Sequence, residues 1–235
     1  MEIDRIRTEA LRYMGYRGQD LPEELKEEIE TVLQEACQVA RPRKTAARFA
    51  LERLPEGIRL SGTSLVLTGK DIKRHLEGAR ECIALALTLG TEAERRILYY
   101  EKTDLARAVL LDASCSALVE AELDDYEAQI VGQAEAEGLA TNWRFSPGYG
   151  DLPLELQRPL AEVLQLTKRI GVTVSENCLM FPRKSVTAFI GLFDPAEKVS
   201  GRRITCAECV LKGDCEFRRW GRTCWERTGK SNEKD

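Results

Sequence analysis

Apolar residues recur at helical spacing in residues 22–40 (PEELKEEIETVLQEACQVA), where Leu25, Ile29, Val32, Leu33 and Ala36 share one face. Pro22 suits a first helical turn, Glu23 and Glu24 favour its positive end, and Pro42 stops it. Residues 1–20 predict a short helix ending near Gly15 and Gly18. The longest helical pattern covers 104–138, with Ala106, Val109, Leu110, Ala113, Ala117, Leu118, Ala121 and Ile130 on its apolar face. Small residues crowd its middle (Ala113, Ser114, Cys115, Ser116, Ala117), which lets another element pack close. Shorter helical patterns cover 71–78, 92–100 and 154–166.

Other stretches read as strands. The continuous apolar run 82–89, closed by Gly90, suits a buried strand. Residues 171–174 and 186–193 are strand-like, and 58–60 with 64–67 around Gly62 predict a hairpin. Residues 47–54 fit a strand and a short helix equally well. The Gly- and Pro-rich segment 143–153 predicts a loop or a short strand with turns. Helices and strands are mixed without regular βαβ alternation. The expected class is therefore α+β, with a mixed, largely antiparallel twisted sheet flanked by helices. After Asp194 the composition changes, so the chain divides into a main domain, 1–195, and a basic, Cys-rich tail, 196–235, whose polar end SNEKD is expected to be disordered. There is no internal repeat.

The 235 residues suffice for one large domain, or one domain with a small appendage. Hydrophobic residues make up 43% and charged residues 31%, ordinary values for a soluble globular protein. The formal charge of −4, from 35 basic and 39 acidic side chains, gives no global pull toward nucleic acid or an anionic membrane. No run of 18 apolar residues could span a bilayer, and the charged start MEIDRIRTEALRYMGY lacks the apolar core of a secretory signal. A cytoplasmic location is expected.

Eight cysteines fall into two groups. Cys37, Cys82, Cys115 and Cys178 are scattered among apolar residues and read as small core residues. Cys206, Cys209, Cys215 and Cys224 are spaced C-x2-C-x5-C-x8-C, and four thiolates this close can converge on one metal. Zinc and a [4Fe–4S] cluster are both open, since the spacing matches neither a zinc ribbon nor a ferredoxin run. Arg203, Lys212, Arg218, Arg219 and Arg222 would offset the charge of such a site, and Trp220 and Trp225 would shield it. The single histidine, His75, excludes catalysis by a histidine pair and reads as a surface helix residue.

Two motifs remain. In Arg144-Phe145-Ser146-Pro147-Gly148-Tyr149-Gly150, the Pro-Gly pair marks a turn, the glycines permit close approach of a ligand to the backbone, and Arg144 offers a planar fork for a carboxylate. Tyr149 adds an aromatic wall and a hydroxyl. Read alone, the motif suits a surface turn whose arginine pairs locally better than a ligand site, since short turn motifs are weak evidence. The second motif is Val174-Ser175-Glu176-Asn177-Cys178-Leu179-Met180-Phe181-Pro182-Arg183-Lys184-Ser185-Val186-Thr187.

In this order, joined by a helix, the two resemble the R-x-x-x-G-Y and T-E-S-x-x-M-x-P-x-x-S-V-S segments of the activation domain of cobalamin-dependent methionine synthase. The match runs over residues 112–190, and the chain resembles short, free-standing members of that family. The resemblance implies a domain that holds S-adenosylmethionine against the cobalamin of a separate corrinoid methyltransferase, such as a methionine synthase core. The corrinoid would be reactivated by reductive methylation, with one electron from a flavodoxin or ferredoxin. It implies that Arg144 holds the ligand's carboxylate, that the backbone near Ser146 and Gly148 binds its polar groups, and that Tyr149 lines the site. Glu120, on the small-residue helix, stands where the family has a ligand-binding glutamate. Glu120 and Glu176 would favour the cationic sulfonium, while Glu176 also suits a structural acceptor for backbone N–H groups. The family's N-terminal aspartate at the ligand is not placed in this sequence, and DPAEKVSGRR stands where the family has an aromatic pair. The alternative is a non-catalytic corrinoid-protein partner that passes electrons through the Cys-rich tail.

Overall fold

The computed structural model describes residues 3–16 and 18–196, together with Gly213 and Arg218. The chain divides into two units, Met1–Ser200 and Gly201–Asp235. Cys206, Cys209, Cys215 and Cys224 lie outside the described residues.

In chain order, α1 (Ile3–Tyr13) and α2 (Glu23–Val39) precede the strands β1 (Arg43–Arg53), β2 (Ile58–Leu60) and β3 (Val66–Leu67). A short helix α3 (Lys70–His75) leads to β4 (Glu81–Thr88), followed by α4 (Thr91–Thr103) and the 32-residue α5 (Leu105–Ala136). Then come β5 (Ala140–Thr141), α6 (Gln157–Val163), α7 (Leu166–Ile170), the hairpin β6 (Thr173–Val174) and β7 (Met180–Phe181), and β8 (Ser185–Phe193). The main sheet has the order β3-β2-β1-β4-β8-β5, antiparallel at every pairing. The class is α+β, as the patterning predicts.

The undecided segment 47–54 is strand. Its alanines and leucine favour helix by propensity, but β1 lies between β2 and β4, and the ladders on its two edges satisfy its backbone groups. The predicted helix 154–166 is broken: a 3-10 turn opens it, and Gln165, at φ 52, separates α6 from α7.

Alternation along the central strands sorts their side chains onto two faces. Leu85 and Leu87 of β4 and Ala188 and Ile190 of β8 meet α1, α2, α4 and α5. Ala84 and Ala86 of β4 and Phe189 and Phe193 of β8 meet α3, α6, α7 and the β2–β3 hairpin. Helix α5 crosses the first face with α1, α2 and α4 packed around it. Leu111, Cys115, Leu118 and Leu123 are therefore all buried, spread over more of the circumference than one stripe. Each buried leucine contributes roughly 1.5–3 kcal/mol. Among the polar residues left on α5, one row from Asp112 to Glu127 carries the candidate site.

Two expectations are corrected. His75 is only 3% exposed, with its ring 5.2 Å from that of Trp143 and 5.0 Å from that of Phe145. The helix pattern around it gave one polar face, but the chain at 143–145 comes back over that face and covers it. Cys37 is exposed, because α2 turns that position away from the sheet, whereas Cys82 and Cys115 are buried and Cys178 is half-buried.

Candidate functional site

The strip on α5 is Val109, Asp112, Ser116, Glu120, Asp124 and Glu127, spaced three or four apart so that all lie on one face. The end of α5 brings Arg144 back to it. Gly138 takes the left-handed conformation (φ 74), and the Leu139 N–H donates to the Ala134 carbonyl at 2.9 Å. This closes the helix and reverses the chain. β5 then runs back beside α5 along the edge of β8, and Phe145 bridges to Phe189.

Arg144 arrives opposite three carboxylates from successive turns. One guanidinium nitrogen lies 2.8 Å from Glu120 and the other 2.7 Å from Asp124, and the latter also binds Glu127. The Arg144 backbone N–H donates to Glu127 at 3.1 Å. Arg5 of α1 reaches Asp124 at 3.6 Å and donates to the Ala121 carbonyl. Two cations thus face three carboxylates, a surplus of one negative charge. Asp124 and Glu127 keep 15% and 19% of their side chains exposed, Glu120 37%. Glu120 is the partner that can swing away at least cost.

One turn toward the helix start, the second motif reaches the same strip. Lys184 places its ammonium 2.8 Å from Asp112 and 2.8 Å from the Ser116 hydroxyl. Beside it, Arg183 pairs with the buried Glu94 of α4 at 2.6 Å and with Glu101 at 3.1 Å. Ser185 and Thr187 point to the opposite face of the sheet. The Ser185 hydroxyl lies 2.7 Å from the Pro182 carbonyl, and Thr187 donates to Gln157 at 2.7 Å. Serine and threonine in this motif hold the fold, while its two basic residues face the helices.

No sequence profile of a known family matches the chain, and no curated protein matches it. A solved structure described as the "MetH Reactivation Domain bound to AdoHcy" matches with a TM-score of 0.60 at 17% identity. The match covers 95% of this chain and 85% of that one. The chain has the fold of the MetH reactivation domain.

Within this reactivation-domain fold the sequence-predicted residues do not all converge. Arg144 and Glu120 are joined by a direct ion pair. Gly148 (φ 90) and Tyr149 form the tip of the first motif. The Gly148 N–H donates to the Leu152 carbonyl, and the Tyr149 N–H to the Ser146 carbonyl, so these groups hold the turn itself. The Tyr149 side chain is exposed and 6.5 Å from the Phe145 ring. Asp151 anchors this loop by accepting the N–H groups of Lys70 and Asp71 at 2.7 and 2.9 Å, which hold its carboxyl below the usual range. Glu176 is exposed in the turn between β6 and β7, and it is none of the three carboxylates on Arg144. In that turn Ser175, not Glu176, accepts the Leu179 N–H.

Sequence reasoning missed Asp124, Glu127, Asp112 and the seat of Lys184. The acidic spacing 120, 124, 127 was a usable signal. Among the described residues, no group of three or more histidine, cysteine, aspartate or glutamate side chains is arranged to hold a metal ion, and no helix is long and apolar enough to cross a membrane.

Proposed function

We propose that this chain binds S-adenosylmethionine on the α5 strip and presents its methyl group to the corrinoid of a separate methyltransferase, such as a methionine synthase core. The observation that carries the reading is the convergence of both motifs on one helix face: Arg144 on Glu120, Asp124 and Glu127, and Lys184 on Asp112 and Ser116, one turn apart. The fold shared with a domain that binds S-adenosylhomocysteine, the product of such a methyl transfer, supports it. The negative surplus on the strip suits a ligand carrying an ammonium and a sulfonium. Glu120, released from Arg144, would pair with the ammonium, and the freed guanidinium edge would take the carboxylate. No acid–base pair is required, because the domain's work is positioning. The electron for the corrinoid would come from a flavodoxin or ferredoxin. The tail cysteines would hold zinc or an iron–sulfur cluster, which metal and sulfide analysis of anaerobically purified protein decides.

A second reading rests on the same cluster. Arg144 is already engaged by three carboxylates, so the fold could serve as a corrinoid-protein partner without binding the ligand. Calorimetric titration with S-adenosylmethionine and S-adenosylhomocysteine separates the two. Saturable binding by the wild type that Arg144→Gln weakens at least tenfold, with the variant still folded by thermal unfolding, supports ligand binding. A wild type that takes up neither compound overturns it in favour of the partner reading.

A further inference from the structure

β5 and β8 do not keep one register along their shared edge. Ala140 faces Phe193 and Thr141 faces Leu192, but the next bridge, Phe145 to Phe189, is one residue out of step. Asn142, Trp143 and Arg144 therefore span only Ile190 and Gly191, and the extra residue makes a β-bulge. The bulge changes which way Arg144 points. Ala140 and Phe145 are an odd number of residues apart, yet both pack on the sheet face that carries Phe189 and Phe193. Unbroken alternation would put residues 140, 142 and 144 together on that face, away from α5. The inserted residue reverses the alternation and delivers Arg144 to Glu120 and Asp124 of α5.

Inside the bulge stands Asn142, only 6% exposed. Its carboxamide oxygen accepts the Gly191 N–H at 2.7 Å, and its NH2 group donates to the His75 carbonyl at 2.6 Å. A side chain thus satisfies a strand N–H where the bulge interrupts the ladder, and it ties the bulge to the end of α3. The seat needs an acceptor and a donor on one short side chain, and a carboxamide supplies both. Across from it, position 191 has no room for a side chain. A Cβ there would lie 2.8 Å from the Phe193 ring and 3.1 Å from Leu76. Resting on the reading above, we propose that Asn142 is a positioning residue for ligand binding: it holds the bulge, and the bulge aims Arg144 at the α5 strip. Asn142 acts through Arg144 and touches no ligand itself.

Two cycles of single and double variants of the full chain test this. In urea unfolding, the midpoint loss caused by Arg144→Leu should shrink to less than half when Asn142→Ala is already present, because an Arg144 that is no longer aimed has left its carboxylates. An undiminished loss overturns the proposal, whether or not the chain binds a ligand. In calorimetric titration with S-adenosylmethionine, Asn142→Ala should weaken binding at least fivefold beside Arg144, and less than twofold where Arg144→Gln has already weakened it. An equal loss in both backgrounds is a merely structural effect and overturns the proposal as well. Should Asn142→Ala fail to fold, Asn142→Ser, whose hydroxyl stays polar but is too short to reach both partners, runs the same cycles. Binding that depends on Arg144 but is untouched by the Asn142 variants overturns the positioning role and leaves the proposed function standing. A wild type that takes up no ligand overturns the proposed function, and the unfolding cycle then decides alone whether Asn142 aims Arg144.

Discussion

Arg144 and His75 are held by the same three residues of chain in opposite ways. The segment 143–145 turns Arg144 toward α5, where three carboxylates receive it, and turns Trp143 and Phe145 toward His75, which they enclose. On the first side, charge is kept and balanced near the surface. On the second, charge is suppressed: the imidazole is buried, its Nε2 has no hydrogen-bond partner, and burial pushes its pKa down to about 4, against a weaker upward pull from the carbonyls of Trp143 and Phe189. The asymmetry follows from cost. A guanidinium does not lose its proton, so it must be paired, whereas an imidazole can be buried simply by staying neutral. One loop thus has an electrostatic anchor and a packed anchor, with different sensitivities to pH and salt.

The widest separation between the anchors is expected on acidification. His75 is neutral in both folded and unfolded chains above its ordinary value of 6.5. Between pH 6.5 and about 4 only the unfolded chain gains the proton, and stability falls as pH falls. The loss across that window should be roughly 3 kcal/mol. Urea unfolding of wild type against His75→Phe at pH 7 and pH 4.5 measures it. A variant as acid-sensitive as wild type would show that His75 is not the group responsible.

A smaller effect is expected on the other side. Arg144→Leu leaves Glu120, Asp124 and Glu127 facing one another and should cost about 2 kcal/mol, less than a fully buried pair because all three retain solvent contact. Raising the salt from 0.05 to 0.5 M should shrink that penalty by screening the repulsion, while the His75→Phe difference stays put. A salt-independent Arg144 penalty would mean that packing of the side chain stem, not charge, anchors this side. Smallest of the three, Gly138→Ala should cost about 1 kcal/mol by straining the left-handed turn that returns the chain to α5. Unfolding midpoints measure the cost, and a neutral outcome would place control of the loop in β5 and the Phe145–Phe189 bridge instead.

Much of the framework was legible without coordinates. The 3.6-residue period located α2 and α5 to within a few residues, and the unbroken apolar runs located β4 and β8, because burial on both sheet faces leaves no room for polar alternation. The order of the two motifs was readable as a resemblance, and Arg144 and Glu120, each singled out there for a ligand, meet in an ion pair that the sequence did not foretell. β1 was not readable, because its helix-prone residues are held by ladders to strands distant in sequence. Glu176, which the pattern also singled out, sits in an exposed turn apart from the Arg144 cluster.

What the sequence by itself determined is local: which residues share a helix face, where glycine permits the chain to reverse, and that the acidic positions 120, 124 and 127 line up. The tertiary structure decided what crosses each face. It brought Arg144 and Lys184 to successive turns of one helix, and closed Trp143 and Phe145 over a histidine that helical periodicity alone assigns to the surface. The reason is physical. Helical and strand periods follow from bonded geometry and are written into a few neighbouring residues, whereas a partner's arrival across a face depends on how the whole sheet and its loops close.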